Sequence, residues 1–228
     1  MHPLLTTLLD LVFPPHCPCC RRILAHGKAL ACPRCYAGLP WLSEEDAATQ
    51  EEAATPCIAA GWYQGDLREI IHAYKFEGQR QLASPLALPL AQQVRRHYGE
   101  AFDLMTWVPV SHKTLKTRGY DQSRLLAEAL AAELGRTALP LLRKQRHTPA
   151  QSSLTSPSDR RSNVAGAFVP VDSSTIAGRR ILLVDDVITT GSTLEEIAHI
   201  LCQAGAIRVM CAALCRTPPA SASPPKSR

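Results

Sequence analysis

Aromatic side chains are scarce in this chain: four Phe, three Trp and five Tyr make up 5% of its 228 residues. Single-stranded nucleic acid is commonly held by stacking bases on such rings, so the shortage argues against strong autonomous DNA or RNA binding. Long apolar runs are missing too. None reaches the roughly 20 residues that cross a bilayer, and no membrane span is expected. The apolar positions Leu4, Leu5, Leu8, Leu9 and Val12 have no basic stretch before them, are interrupted by Asp10 and lead to no small-residue cleavage site before Cys17. They read as a short amphipathic helix ending at Pro14-Pro15 rather than a secretion signal, which points to the cytoplasm. Nor is there a surplus of acid. Lys and Arg outnumber Asp and Glu 25 to 20, a net charge of +5 that suits anionic ligands without by itself establishing nucleic-acid binding. What the chain has in quantity is cysteine, nine in all. In a cytoplasmic chain that number argues for metal ligation over disulfides.

The length suits one α/β domain with a small accessory module. Residues 1–42 hold the N-terminal helix and a Cys- and Pro-dense stretch, 17–40, that reads as a metal-stapled knuckle. Residues 43–56 carry five acids and no base, as in a solvated linker or exposed helix. From 57 to 216 the chain is regular, with strands expected at 58–63, 104–110, 139–142, 180–185 and 207–214. Helical spacing falls between them, over 67–76, 81–98, 121–134 and 194–204, with Pro85 and Pro89 confining the regular part of the second to its later half. Such alternation implies an α/β fold with a parallel sheet, whose ligands bind at the carboxyl ends of the strands. Residues 217–228 are Ser- and Pro-rich and read as a disordered tail. Cys57, Cys202, Cys211 and Cys215 sit in apolar patterns as small buried hydrophobes.

The chemistry concentrates at Ile181-Leu182-Leu183-Val184-Asp185-Asp186-Val187-Ile188-Thr189-Thr190-Gly191-Ser192-Thr193. A buried strand delivers two carboxylates at its end, able to accept hydrogen bonds from sugar hydroxyls. The loop and helix start behind it aim backbone N–H groups and the hydroxyls of Thr189, Thr190, Ser192 and Thr193 at a phosphate. Gly191 allows close backbone approach. This succession resembles the 5-phosphoribosyl 1-pyrophosphate (PRPP) signature of type I phosphoribosyltransferases. A second strand opens at Val108-Pro109-Val110 into a polar loop with Lys113, Lys116 and Arg118, cations suited to a pyrophosphate. Cys17-x-x-Cys20 and Cys32-x-x-Cys35 present two thiolate pairs on tight turns, suited to a tetrahedral structural Zn²⁺. Cys19 is an alternative to Cys17 or Cys20 as a ligand.

Several motifs follow in fixed order. They are the cysteine knuckle, Tyr63-x-Gly65 with Leu67-Arg68-x-Ile70-Ile71-x-x-x-Lys75, and the VP…RGYDQ segment ending at Gln122. Thr148-x-x-Gln151-x-x-Leu154 with Arg160, Arg161 and Asn163 comes next, then VDDVITTGST. Together they resemble the ComF family of competence and DNA-utilisation proteins over nearly the whole chain. One departure is Asp121, where that family more often has Asn; it puts negative charge near the expected anion site. The resemblance implies a type I phosphoribosyltransferase-like parallel sheet flanked by helices, preceded by a zinc ribbon. It also implies PRPP or a related ribose phosphate as ligand. Asp185 and Asp186 would hold ribose hydroxyls, Val187, Ile188, Thr189, Thr190, Gly191, Ser192 and Thr193 would cradle the 5-phosphate, and Mg²⁺ would ride on the ligand's own oxygens. Residues 143–168 take the place of the hood that closes over such sites, with Arg146, Gln151, Arg160 and Arg161 as contacts. Thr189 stands where transferases of 6-oxopurines carry an Asp general base, which disfavours that activity. Two functions stay open: a phosphoribosyltransferase with a nitrogen acceptor, or a ligand-binding module in DNA uptake, with single-stranded DNA and DNA-uptake proteins as partners.

Overall fold

The computed structural model describes residues 15–24, 29–48, 55–145 and 167–219. The N-terminal helix, residues 49–54 of the acidic stretch, the hood contacts from Arg146 to Asn163 and residues 220–228 of the tail lie outside them. In chain order the elements are α1 (Pro33–Ala37), α2 (Glu44–Ala47), β1 (Cys57–Trp62), α3 (Gly65–Phe76), a 3-10 turn (Arg80–Leu82) and α4 (Ala83–His97). There follow β2 (Leu104–Trp107), α5 (His112–Arg118), α6 (Gln122–Leu134), β3 (Leu142–Lys144), β4 (Phe168–Pro170), α7 (Ser173–Ile176), β5 (Arg180–Ile188), α8 (Ser192–Gln203) and β6 (Arg208–Arg216).

Four strands form an all-parallel sheet in the order β1-β6-β5-β2, and β3 and β4 pair as a separate antiparallel ribbon. The central strands are apolar on both faces, as a doubly covered parallel sheet requires. Leu182 and Val184 of β5 pack with Met210, Ala212 and Leu214 of β6 against α3, α4 and α6. Ile181 and Leu183 face the other way and pack with α8, Ile176 and Phe168. Both sheet edges are covered. Residues 40–42 and Ala48 run antiparallel to β1, with Leu42 N–H on Ala60 O at 3.0 Å and Trp62 N–H on Pro40 O at 2.8 Å. Leu139 N–H meets Met105 O at 2.8 Å on the β2 side.

Four expectations are corrected. Helix α4 runs unbroken past both prolines: Pro85 is its third residue, where no N–H has an intrahelical acceptor, and Pro89 forfeits one bond while burying its ring. The polar loop after β2 is a helix, α5, capped by the Ser111 hydroxyl on Thr114 N–H and closed by left-handed Gly119 (φ 76°). Strand β5 does not stop at its acids but pairs with β6 through Val187 and Ile188. Cys202 is exposed, because the buried stripe of α8 is Leu194, Ile197, Ala198 and Leu201.

Candidate functional site

The two acids at the end of β5 point to different surroundings, since successive strand residues face opposite sides. Asp185 lines a small cavity of about 40 Å³ together with Val187, Ile188, Thr189, Gly191, Thr193 and Leu194. That is room for a small polar group at the mouth of the loop. Gly191 adopts φ 80° as the residue before α8, a left-handed turn that a side chain would strain. The cavity therefore lies at the N-terminus of a 12-residue helix, the end that carries its positive dipole. Thr190 Oγ1 lies 2.9 Å from Ser192 Oγ, so these hydroxyls order the loop.

Asp186 is 4% exposed and turns toward α3. Lys75 Nζ lies 2.8 Å from its Oδ1, while its buried Oδ2 has no partner among the described residues. Asp185 Oδ1 accepts from Ser123 Oγ at 3.0 Å and from Asp186 N–H at 2.8 Å. Burial, and next the neighbouring Asp186 charge, push Asp185 up to about 7, against the lowering effect of those two donors and of Lys75. A carboxyl poised there is neutral in part at physiological pH and becomes a strong acceptor once it ionises. In the sequence Lys75 figures only as one position of a motif. The signal was its spacing: Leu67, Ile71 and Lys75 fall at i, i+4 and i+8, which puts a cation on the buried stripe of α3.

Lys113 and Lys116 lie on α5 in open solvent. The Arg118 guanidinium stacks 4.4 Å from the Phe76 ring centroid. None of the three lines the cavity beside Asp185. The RGYDQ segment instead interlocks with the end of α3. Arg80 donates to Gly119 O at 3.0 Å and lies over the Tyr120 ring, Tyr120 OH donates to Tyr74 O, and Tyr74 OH donates to Gln122 O at 2.6 Å. Asp121 is occupied as the cap of α6: Oδ1 takes Arg124 N–H at 3.0 Å and Oδ2 takes Val110 N–H at 3.2 Å. The described ends of the segment expected as a hood, Arg143-Lys144 and Phe168, lie on the β3–β4 ribbon.

In the N-terminal module the Sγ atoms of Cys17, Cys20, Cys32 and Cys35 all lie within 4.8 Å of one another. The Cys20–Cys32 separation of 3.7 Å matches the edge of about 3.8 Å that follows from Zn–S bonds of about 2.3 Å in a tetrahedron. Pro33 at the start of α1 sets the turn that brings Cys32 and Cys35 together. Burial opposes the Cys17 thiolate, yet N–H donors from Cys32, Cys20 and Cys19 outweigh it and bring the thiol down to about 6, as a metal ligand needs. Cys19 is outside this quartet. Burial, and then the charge of Asp66, hold its thiol up at about 12, and the sulfurs that converge are those of Cys17, Cys20, Cys32 and Cys35.

Comparison with known proteins identifies both modules. Residues 121–227 match the phosphoribosyl transferase domain and residues 8–47 the double zinc ribbon domain. Five cysteines fall within 8–47, enough for one four-thiolate site. The Competence protein F of Haemophilus influenzae is 35% identical over 162 residues, spanning 68% of this chain and 70% of that protein. The DNA utilization protein YhgH of Escherichia coli K12 is 32% identical over 222 residues, 88% of this chain and 90% of that one. Among solved structures, the glutamine phosphoribosylpyrophosphate amidotransferase of B. subtilis aligns at TM-score 0.41 and 24% identity, over 58% of this chain and 26% of that longer one.

Proposed function

The chain belongs to the ComF family of competence and DNA-utilisation proteins, and from that premise we propose that its type I phosphoribosyltransferase fold binds a ribose 5-phosphate group, free or as PRPP, at the end of β5. The observation that carries this reading is the meeting of the Asp185 carboxyl with the hydroxyl- and glycine-bearing loop around a small cavity at a helix N-terminus. The 5-phosphate sits against Thr189, Gly191 and Thr193, and Asp185 accepts from the sugar hydroxyls. Asp186 backs it from the Lys75 side. With PRPP, Mg²⁺ would accompany the ligand and would offset pyrophosphate charge, the hard oxygens it prefers being available from the ligand and water. Lys113 and Lys116 reach the pyrophosphate from α5 by their length and freedom, and Arg118 by leaving Phe76.

The protein then works in the handling of DNA during uptake, with single-stranded DNA or DNA-uptake proteins as partners. The second reading is transfer of the phosphoribosyl group to a nitrogen acceptor. It is favoured by the β3–β4 ribbon, which flanks the segment in hood position, and is limited by Thr189, which lines the cavity with no titratable group. Calorimetric titration with Mg-PRPP and with ribose 5-phosphate, repeated on Asp185→Asn/Asp186→Asn, tests the site. We expect binding by the parent and at least tenfold weaker binding by the variant. No binding by the parent, or equal binding by both, refutes the assignment. Pyrophosphate release on adding nucleobases or amines would select the transferase reading.

A further inference from the structure

The acid pair at the end of β5 is closed into a ring of bonds that passes through two helices. Ser123 of α6 donates to Asp185 Oδ1 at 3.0 Å, and its neighbour Gln122 accepts at its backbone carbonyl from Tyr74 OH at 2.6 Å. The next residue of α3, Lys75, places Nζ 2.8 Å from Asp186 Oδ1. Asp186 N–H then returns to Asp185 Oδ1 at 2.8 Å. The Lys75 and Asp186 side chains keep only 16% and 6% exposure. An ion pair this buried is weak evidence for stability, because desolvating both charges offsets most of their attraction. Its place in a closed ring around the candidate ligand acceptor gives it a different use. The other titratable groups close to the pair are Asp121 at the cap of α6, Tyr74 on α3, and Cys211 and Cys215 on β6. Ionised or neutral, none of them is a cation. Among the described residues Lys75 is the positive charge in contact with the pair.

We propose that Lys75 is a positioning residue of the ribose-phosphate site, which through this ring holds both carboxylates in place, so that Asp185 is free to accept the sugar hydroxyls. The inference rests on the reading that the end of β5 binds ribose 5-phosphate. Without the ammonium, two neighbouring and poorly solvated carboxylates are left uncompensated, and the pair retains a proton to higher pH as a unit.

The test is calorimetric titration of the full chain with ribose 5-phosphate between pH 6.5 and 9, for the parent, Lys75→Met, Lys75→Gln and Lys75→Arg. Gln can still donate to Asp186 but carries no charge. Both neutral variants are expected to bind about fivefold more weakly at pH 7, as one unit of proton affinity added to a carboxyl near 7 predicts, and to recover toward the parent by pH 9. Lys75→Arg is expected to keep the parent profile. Neutral variants that bind like the parent at every pH overturn the inference, and so does a loss that is equal at every pH, which marks a merely structural role. Failure of both neutral variants to fold assigns Lys75 to the fold and overturns it too. Absence of binding by the parent refutes the ribose-phosphate reading itself; binding by the parent with unchanged variants refutes only the role of Lys75.

Discussion

The raised Asp185 carboxyl makes a stability prediction that needs no ligand. It sits at about 7 in the folded chain, whereas an unfolded aspartate sits at about 3.9. Between those values the folded state holds a proton that the unfolded state has released, so raising the pH over this window favours unfolding. The stabilisation is complete below about pH 4 and is lost by about pH 7. Three units of proton affinity correspond to about 4 kcal/mol. Asp185 keeps some solvent contact at the loop cavity, and screening there reduces the figure to roughly 2 kcal/mol. For a chain of this size about 2 kcal/mol amounts to roughly 4–8 °C in Tm. The assay is thermal unfolding of the ligand-free parent and of Asp185→Asn from pH 5 to 8, where Asn removes the titration while keeping the shape. Histidines and carboxylates away from the pair contribute equally to both proteins and cancel in the difference, so that the difference reports the Asp185–Asp186 pair as a unit. We expect the parent to lose stability relative to the variant as the pH rises, most of it below pH 7. Parallel curves, or a parent that gains on the variant with rising pH, refute the account of the acid pair.

Much of this site was legible because its elements carry strong local patterns. The run from Ile181 to Val184 reads as a buried strand, and the Gly191 turn into α8 reads as a helix start; both stand in the structure. The CxxC pairs were legible for the same reason, although their spacing left Cys19 as an alternative and the converging quartet is seen only in the folded chain. What escaped depends on tertiary contact. Nothing local distinguishes a cation loop from a capped helix when the stretch is seven residues long, and Ser111 and Gly119 decide it as caps. The tie between Lys75 and Asp186 spans 111 positions of sequence. Only the packing of α3 on the sheet brings the two together, although the cation on an apolar stripe was there to be noticed. Asp121 drew attention as a charge near an anion site. In the folded chain its oxygens are engaged by the N–H groups of Arg124 and Val110, which local pattern cannot disclose.

Two further predictions concern the joined modules. Metal analysis should find one Zn²⁺ per chain; Cys32→Ser should lose it and Cys19→Ser should keep it, because the four sulfurs that converge exclude Cys19. Two ions per chain, or loss from Cys19→Ser, would contradict that geometry. The seam between the ribbon and the sheet is tested by Gly61→Ala. A Cβ there would lie 2.5 Å from Leu67 Cδ2, 3.2 Å from Pro40 O and 3.3 Å from the Trp41 ring. Leu67 is fully buried and cannot swing away, and the Pro40 carbonyl is fixed by its bond from Trp62 N–H. Overpacking of this kind costs about 1–3 kcal/mol, read as a Tm lower by roughly 2–4 °C per kcal/mol. The strand would have to move away from the segment that covers its free edge, and an exposed edge invites pairing with other chains. Gly61→Ala should therefore self-associate more on warming, measured by light scattering. An unchanged Tm would show that residues 40–42 do not hold the edge of β1 in solution.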